Sequence, residues 1–202
     1  MKKIVFNVTI ISLILLFVQS CSIDENVTTA TVSKSATDYI GTYLSACGSN
    51  KQQEKVVITD SGSGDSVTAN WYTISHSDSA CSTVLKTIQY NHTARAMGDT
   101  TDDDGNSVSK IYLVTVNVTA TLNAAYTTNA NEGSWCGISN WEEDTAKDIT
   151  GKDCTDSLSE SFSPALTTKY DIWYLNGTSF QKSEESTEGY ATTLDETVYI
   201  KQ

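Results

Sequence analysis

The sequence predicts an all-β fold, a single antiparallel β-barrel of about eight strands with one short helix. From residue 39 onwards, short runs rich in β-branched and aromatic residues are separated by Gly, Asn, Asp and Ser. One run, residues 109–124, is long and alternates in polarity, which suits a curved sheet that closes on itself. About eight strands is the number at which a barrel is filled by side chains or holds one small ligand.

Turn sequences connect the predicted strands. Residues 60–65 read Asp-Ser-Gly-Ser-Gly-Asp, and Asn176-Gly177 supplies the positive φ that both central residues of a type I′ turn require. The turn also explains Asn176 without a sugar, although it belongs to one of five Asn-x-Ser/Thr sequons that would suggest a secreted glycoprotein. The predicted strands are residues 39–46, 55–59, 67–74, 84–96, 109–124, 168–175, 178–182 and 197–201.

The long strand has one apolar and one mostly polar face. Successive side chains of a strand point to opposite sides, so this alternation suits a strand that is solvated on one face. The apolar face comprises Tyr112, Val114, Val116, Val118, Ala120 and Leu122.

Residues 135–149 break the strand pattern. Asn140 can cap a short helix with an acidic first turn, and Gly151 can end it. Cys136 and Cys154 bracket the segment, so the sequence predicts this helix inside a disulfide-bounded loop.

The N-terminus has the features of a secretory signal peptide, residues 1–20. A basic head precedes an apolar run that is short for a spanning helix, which needs about 20 apolar residues. Val18-Gln19-Ser20-Cys21 resembles the lipobox of bacterial lipoprotein precursors. That resemblance implies cleavage before Cys21, a diacylglycerol on its thiol, and anchoring without a spanning segment. In that family, an Asp directly after the lipidated cysteine marks proteins that stay in the inner membrane. This chain has Ser22 at that position, which favours the outer membrane.

The other four cysteines form an even set, as expected in an oxidising compartment. If Cys136 pairs with Cys154, the other bridge joins Cys47 and Cys81, and two other pairings remain open. A bridge of this loop size contributes about 3 kcal/mol in the chain-entropy model.

Cleavage would leave 182 of the 202 residues, the size of one domain. Residues 22–38 are polar and rich in Ser and Thr, so the sequence predicts a lipidated, flexible tether over residues 21–38 and a barrel over residues 39–202. Without Lys2 and Lys3, 11 basic side chains accompany 25 acidic ones, a formal net charge of −14. Such a surface disfavours nucleic acid as a partner.

The start of the predicted barrel reads Tyr39-Ile40-Gly41-Thr42-Tyr43 and is followed by a cysteine. This layout resembles the Gly-x-aromatic opening of lipocalin-like barrels, with Tyr43 where lipocalins carry Trp. Residues 75–81 and 189–195 are also similar to small bacterial lipoproteins with such a barrel and no assigned role. The resemblance implies a fold and carries no function.

No catalytic or metal-binding motif stands out in the sequence. The two histidines, His76 and His92, lie outside recognisable motifs, and the acidic turn at residues 99–104 fails the spacing of a calcium loop. We therefore expect a protein that is not an enzyme and has no cofactor. The weak candidates for ligand contacts are the four tryptophans, at a barrel mouth or in the core: Trp135, Trp141, Trp71 and Trp173.

These features together favour a lipoprotein of the outer membrane, at its periplasmic face or the cell surface. We expect its barrel to be a non-catalytic binding or interaction module, with a small apolar ligand or an envelope protein as partner. The alternative is a structural or assembly partner of envelope machinery with a filled barrel. A hydrolase is the third class.

Overall fold

In the computed structural model, the chain forms a closed, eight-stranded antiparallel β-barrel with one short α-helix. The structure describes residues 33–154 and 160–202. The predicted signal peptide, the lipobox and most of the tether lie outside the described residues. Among the described residues, no helix is long and apolar enough to cross a membrane.

Eleven strands and one helix make up the described fold. Two 3-10 helices accompany them, at Ala36–Tyr39 and Trp135–Gly137. The elements are β1 Gly41–Ser45, β2 Gln52–Asp60, β3 Ser66–His76, β4 Val84–Thr101, β5 Ser107–Leu122, α1 Ala124–Glu132, β6 Lys147–Asp148, β7 Asp153–Cys154, β8 Glu160–Ser161, β9 Thr168–Asn176, β10 Ser179–Lys182 and β11 Tyr199–Lys201.

The barrel runs up and down through β1, β2, β3, β4, β5, β9, β10 and β11, and each strand pairs with the next. The ring closes where β1 pairs with β11, with Tyr43 opposite Lys201. Outside the ring, β6 pairs with β5, and β7 pairs with β8. The eight predicted strands are confirmed, with boundaries that shift by a few residues. Closure leaves no long edge in the ring.

The 3-10 helix before β1 closes one end of the barrel. Ser35 caps it, and Tyr39 is fully buried, with its hydroxyl donating to the carbonyl oxygen of Trp173 at 3.0 Å. Burial raises the pKa of Tyr39 to about 12. The predicted tether reached residue 38, but Lys34 already donates its backbone N–H to Asp99. These last residues are therefore part of the barrel domain.

Aromatic side chains fill the barrel interior. The ring of Phe180 lies 5.0 Å from Tyr43, 5.8 Å from Trp173 and 5.8 Å from Tyr199, centroid to centroid. Trp71 packs on Trp173 at 5.6 Å. Buried aromatic groups of this size dominate the energetics of a core, so this barrel is a packed one through most of its length.

The inner face of β5 changes phase at a β-bulge. Asn91 pairs with Asn117 but His92 pairs with Thr115, which leaves Val116 without a partner. Val116 is 50% exposed, and the buried positions run through Ile111, Leu113 and Thr115, then Val118, Ala120 and Leu122. The expected single apolar face is therefore correct only beyond the bulge. An extra residue reverses the direction of every side chain on one side of it.

The first half of β4, around Ile88, and the last residues of β5, from Val118 to Leu122, belong to a second core together with α1 and the disulfide-bounded segment. Both disulfides, Cys47–Cys81 and Cys136–Cys154, are formed. The second core contains Ile88, Val118, Ala120, Leu122, Ala130, Trp135, Cys136, Trp141, Ile149, Cys154 and Phe162.

The helix lies before this segment, and its predicted place inside it must be corrected. Asn123 caps α1 by accepting the backbone N–H of Tyr126 at 3.0 Å. Asn140 caps no helix, because the buried Trp141 donates its backbone N–H to Asn131 and the following chain enters β6. Burial of an indole and strand pairing outweigh a local capping signal.

The bulge predicts different costs for two identical substitutions. Val118→Ala should lower the free energy of unfolding by roughly 1.5–3 kcal/mol, because Val118 is fully buried. Val116→Ala should change it by no more than about 0.5 kcal/mol. Urea unfolding followed by circular dichroism measures both, and equal losses would contradict the phase change at Val116.

Candidate ligand-binding site

A cavity of about 290 Å³ lies at the end of the barrel opposite the 3-10 helix Ala36–Tyr39. Strands β2, β3, β4, β9, β10 and β11 supply its wall, together with the β10–β11 connection, residues 183–198, which we call the mouth loop. Most of the lining is charged or aromatic. It consists of Glu54, Lys55, Val56, Trp71, Tyr72, Thr73, Tyr90, Lys169, Lys182, Glu184, Glu185, Asp195 and Tyr199.

Trp71 forms the boundary between the packed core and the cavity. It is 7% exposed and its ring stacks on Phe180 at 6.5 Å, so its apolar surface belongs largely to the core. Its indole Nε1 is buried and has no hydrogen-bond partner among the described residues. A buried donor without an acceptor costs about 1–3 kcal/mol. Trp71 therefore lines the cavity, while its indole N–H is an unpaired donor buried below the cavity surface.

Asp171 is a fully buried carboxyl group on the inner face of β9. It accepts hydrogen bonds from the indole Nε1 of Trp173 at 2.9 Å and from the backbone N–H and the hydroxyl of Ser183 at 2.9 and 2.7 Å. Burial raises the pKa of Asp171 to about 6, against the opposing effects of Lys182 and these hydrogen bonds. The contacts fix the start of the mouth loop to β9.

Glu185 fixes the next part of the mouth loop. Its Oε2 lies 2.7 Å from Nζ of Lys169, and its Oε1 lies 3.9 Å from Nε2 of His92. The ammonium groups of Lys182 and Lys169 outweigh burial and lower the pKa of Glu185. His92 is fully buried, and burial lowers its pKa to about 4, so its ring is neutral at pH 7. Lys169 is thus the direct ionic partner of Glu185.

Lys182 stands among several carboxylates. Burial alone would lower its pKa, but Asp171, Glu185, Asp195 and Glu54 outweigh burial and raise it. Its Nζ lies 5.7 Å from the centre of the Trp71 ring and donates to the carbonyl oxygen of Ser183 at 3.2 Å. Lys182 is therefore charged, and its ammonium group interacts with several carboxylates at once.

Two further carboxylates stand at the cavity wall. Glu54 accepts a hydrogen bond from the hydroxyl of Tyr199, and burial followed by this bond raises the pKa of Tyr199. Asp195 donates its backbone N–H to the carbonyl oxygen of Lys182 at 2.8 Å, which returns the mouth loop to β10.

The structure does not bring the four tryptophans together. Trp71 lines the cavity, whereas Trp173 lies in the barrel core and is fully buried. Trp135 and Trp141 belong to the second core, where Nε1 of Trp141 donates to the carbonyl oxygen of Trp135. Of the weak ligand candidates, only Trp71 reaches the cavity.

Sequence reasoning missed the charged residues of this site. Lys169 and Asp171 alternate with Trp173 on β9, so two charges on the face of a buried tryptophan were the available signal. Of the two histidines, His92 is buried beside the site, and His76 is buried at the end of β3.

The acidic turn after β4 closes on itself. Asp102 accepts the backbone N–H groups of Asp104 and Asn106 and the side chain of Asn106. Hydrogen bonding from Asn106 outweighs desolvation and lowers the pKa of Asp102. Within residues 33–154 and 160–202, no group of three or more His, Cys, Asp or Glu side chains is placed to hold a metal ion.

No protein-family model matches this chain. A search of curated proteins likewise finds no significant similarity.

Asp171 and His92 predict opposite pH effects on stability. Between about pH 4 and 6, folded Asp171 keeps a proton that the unfolded chain, with an ordinary pKa of 3.8, has lost, so stability falls as pH rises. Folded His92 lacks a proton that the unfolded chain, with an ordinary pKa of 6.5, retains, so stability rises with pH.

Removing each group should therefore change the pH profile in opposite directions. Relative to wild type, Asp171→Asn should make stability rise more steeply from pH 4 to 6, and His92→Phe should make it rise less or fall. Each change is on the order of 2 kcal/mol over this range. Urea unfolding at pH 4, 5 and 6 measures them. Parallel profiles for the three proteins would contradict the opposed contributions.

Proposed function

We propose that this chain is a bacterial lipoprotein, anchored to the outer membrane through Cys21, whose barrel is a non-catalytic module that binds a small polar ligand. The observation that carries the binding function is the cavity at the barrel end, with Trp71 at its base and charged side chains around it. Small barrels commonly bind ligands at the mouth, and a few convergent polar groups fix the ligand's orientation.

The character of the lining supports a polar ligand in preference to the apolar one suggested by the sequence. Phe180, Tyr43 and Trp173 occupy the barrel interior. An apolar ligand in the remaining cavity would remove water from Glu54, Lys182 and Glu185 without replacing their interactions, which is unfavourable for charged groups.

The arrangement of titratable groups supports binding in preference to catalysis. His92 and Asp171 are fully buried beneath the cavity. A general acid or base must come within hydrogen-bond reach of its substrate. Glu185 is already paired with Lys169, and Glu54 with Tyr199. The first pair holds the mouth loop to β9, and the second joins β2 to β11.

A second candidate is the envelope assembly partner with a filled barrel. The packed interior favours it, and so does the exposed apolar side chain of Leu166, whose backbone N–H donates to Thr115 beside the exposed Val116. Exposed apolar groups that lie together mark interaction surfaces.

Anchoring predicts a change of location in one variant. The wild-type protein should fractionate with outer membranes and incorporate labelled palmitate, whereas Cys21→Ser should lose the label because it lacks the acylated thiol. Cys47→Ser is the matched control for loss of a cysteine and should keep the label. Labelling of Cys21→Ser would contradict lipidation at this residue.

Ligand binding predicts a bound small molecule in the native protein. Native mass spectrometry of the full-length protein released from detergent should show an added mass that leaves on unfolding. Trp71→Phe should reduce the bound fraction, because Trp71 lines the cavity, and Trp141→Phe, in the second core, should not. A bare mass for the wild type, with crosslinks to an envelope protein, would support the assembly partner instead.

A further inference from the structure

The two longest strands carry none of the acidic side chains of this chain over most of their length. Residues 79–98 and 105–131, which include most of β4 and all of β5, contain none of the 25 Asp and Glu residues. The charged residues on the outward side of these strands are the cations Arg95 and Lys110. The whole chain has a formal net charge of −12, so the outer face of β4 and β5 is a neutral to positive area on an acidic protein.

Two β-bulges each expose an apolar side chain on this outer face. The bulge in β5 leaves Val116 without a partner and 50% exposed. A second bulge places Met97 and Gly98 of β4 opposite the single residue Lys110 of β5, and Met97 is 53% exposed. Bulges re-aim side chains and are common next to functional sites, so both positions indicate a use for an outward apolar group.

Leu166 is held outward in a conformation that a bulky residue rarely adopts. Its φ is +63°, and it is 80% exposed. Its backbone N–H donates to the carbonyl oxygen of Thr115 at 2.8 Å, and the N–H of Thr115 donates to the carbonyl oxygen of Thr167 at 2.9 Å. Glycine usually takes the left-handed position of such a bulge. A leucine there strains the backbone without filling a core, which indicates a role for its side chain outside the barrel.

These apolar side chains form one surface with their neighbours on β4 and β5. Ile111 is buried in the barrel, so Tyr112 faces outward, and Arg95 pairs with it across the strands. The surface extends along β5 by about 20 Å between Lys110 and Val116, at the rise of a strand. We call this surface the docking face, which consists of Met97, Arg95, Tyr112, Val114, Val116 and Leu166.

The composition of the docking face fits a protein interface. Tyr, Met and Arg are enriched at such interfaces. Arg95 is exposed, and among the described residues its guanidinium group forms no ion pair, so it can bind a carboxylate of a partner. The backbone hydrogen bonds at Thr115 already fix Leu166, which lowers the entropy that is lost when a partner binds.

We propose that the docking face binds a protein segment in which apolar side chains are flanked by carboxylates. The apolar side chains of the partner pack on Met97, Val116 and Leu166, and a carboxylate pairs with Arg95. A nucleic acid or an anionic membrane extends beyond this face and meets the acidic remainder of the barrel, whereas a protein segment is confined to the face. The docking face lies on the outside of the barrel, so this inference goes beyond ligand binding in the cavity and does not depend on it.

Site-specific photo-crosslinking tests the place of the interface and the chemistry of the partner. The full-length protein, in the cells that produce it, carries p-benzoylphenylalanine at position 97, 116 or 166, in three separate variants. Position 200 is the control, because Ile200 is 47% exposed on β11, in another part of the ring. The three test positions should crosslink to one protein, and mass spectrometry should locate the crosslinks in a segment of net negative charge that position 200 does not reach.

Variants then separate binding from folding, with the crosslinked segment as a labelled synthetic peptide and fluorescence anisotropy as the readout. Leu166→Gly should weaken binding about tenfold or more. It should leave the urea midpoint nearly unchanged, because relief of backbone strain offsets the greater freedom of the unfolded chain. Arg95→Gln should weaken binding about tenfold, most strongly at low salt. Ile200→Ala is the matched control and should leave the affinity unchanged.

The inference is overturned if the three test positions give no crosslink, crosslink only to lipid, or crosslink to a segment of positive charge. Equal crosslinking at position 200, or full affinity in Leu166→Gly, would also contradict it. Trp71→Phe, at the cavity, should leave peptide binding unchanged. Failure of the docking face therefore leaves the small-ligand function standing, and a bare mass in native mass spectrometry leaves the docking face standing.

Discussion

The length of the β4–β5 hairpin is the constraint on which the rest of this structure depends. The two strands have 18 and 16 residues, whereas β10 and β11 across the barrel have 4 and 3. The hairpin therefore extends beyond the ring, and its inner face there needs a partner. The helix α1 and the segment stapled by Cys136–Cys154 cover it, which creates the second core and raises one wall beside the cavity.

The cavity is built on a buried network that holds the mouth loop to the barrel. Asp171 and Glu185 each engage a different part of the wall, through Ser183 and Lys169 respectively. A buried charge is tolerated only where hydrogen bonds or opposite charges replace water. The network therefore determines the position of the loop, whose Glu184 and Asp195 also line the cavity.

Alternation and turn chemistry were sufficient to predict the ring, because strands half buried in a barrel show a period of two and Asn176-Gly177 specifies its own turn. They could not predict the bulge at Val116, since Val is favourable in a strand whether its side chain points into the barrel or out of it. The helix was misplaced because Asn140 is as good a cap as Asn123. Trp71 lies in a predicted strand and Trp135 in the irregular segment, but neither context shows which ring borders a cavity, because that depends on tertiary packing.

Pairing of β1 with β11 makes closure of the ring depend on two strands that are far apart in the sequence. Tyr43 and Lys201 lie at nearly opposite ends of the folded domain in sequence, so their contact has a high loop-closure cost. Until β11 pairs with it, β1 presents an open edge to which other chains can add. The exposed edge of β1 must therefore be kept from other chains until β11 pairs with it, and removal of β11 would leave an open, aggregation-prone sheet.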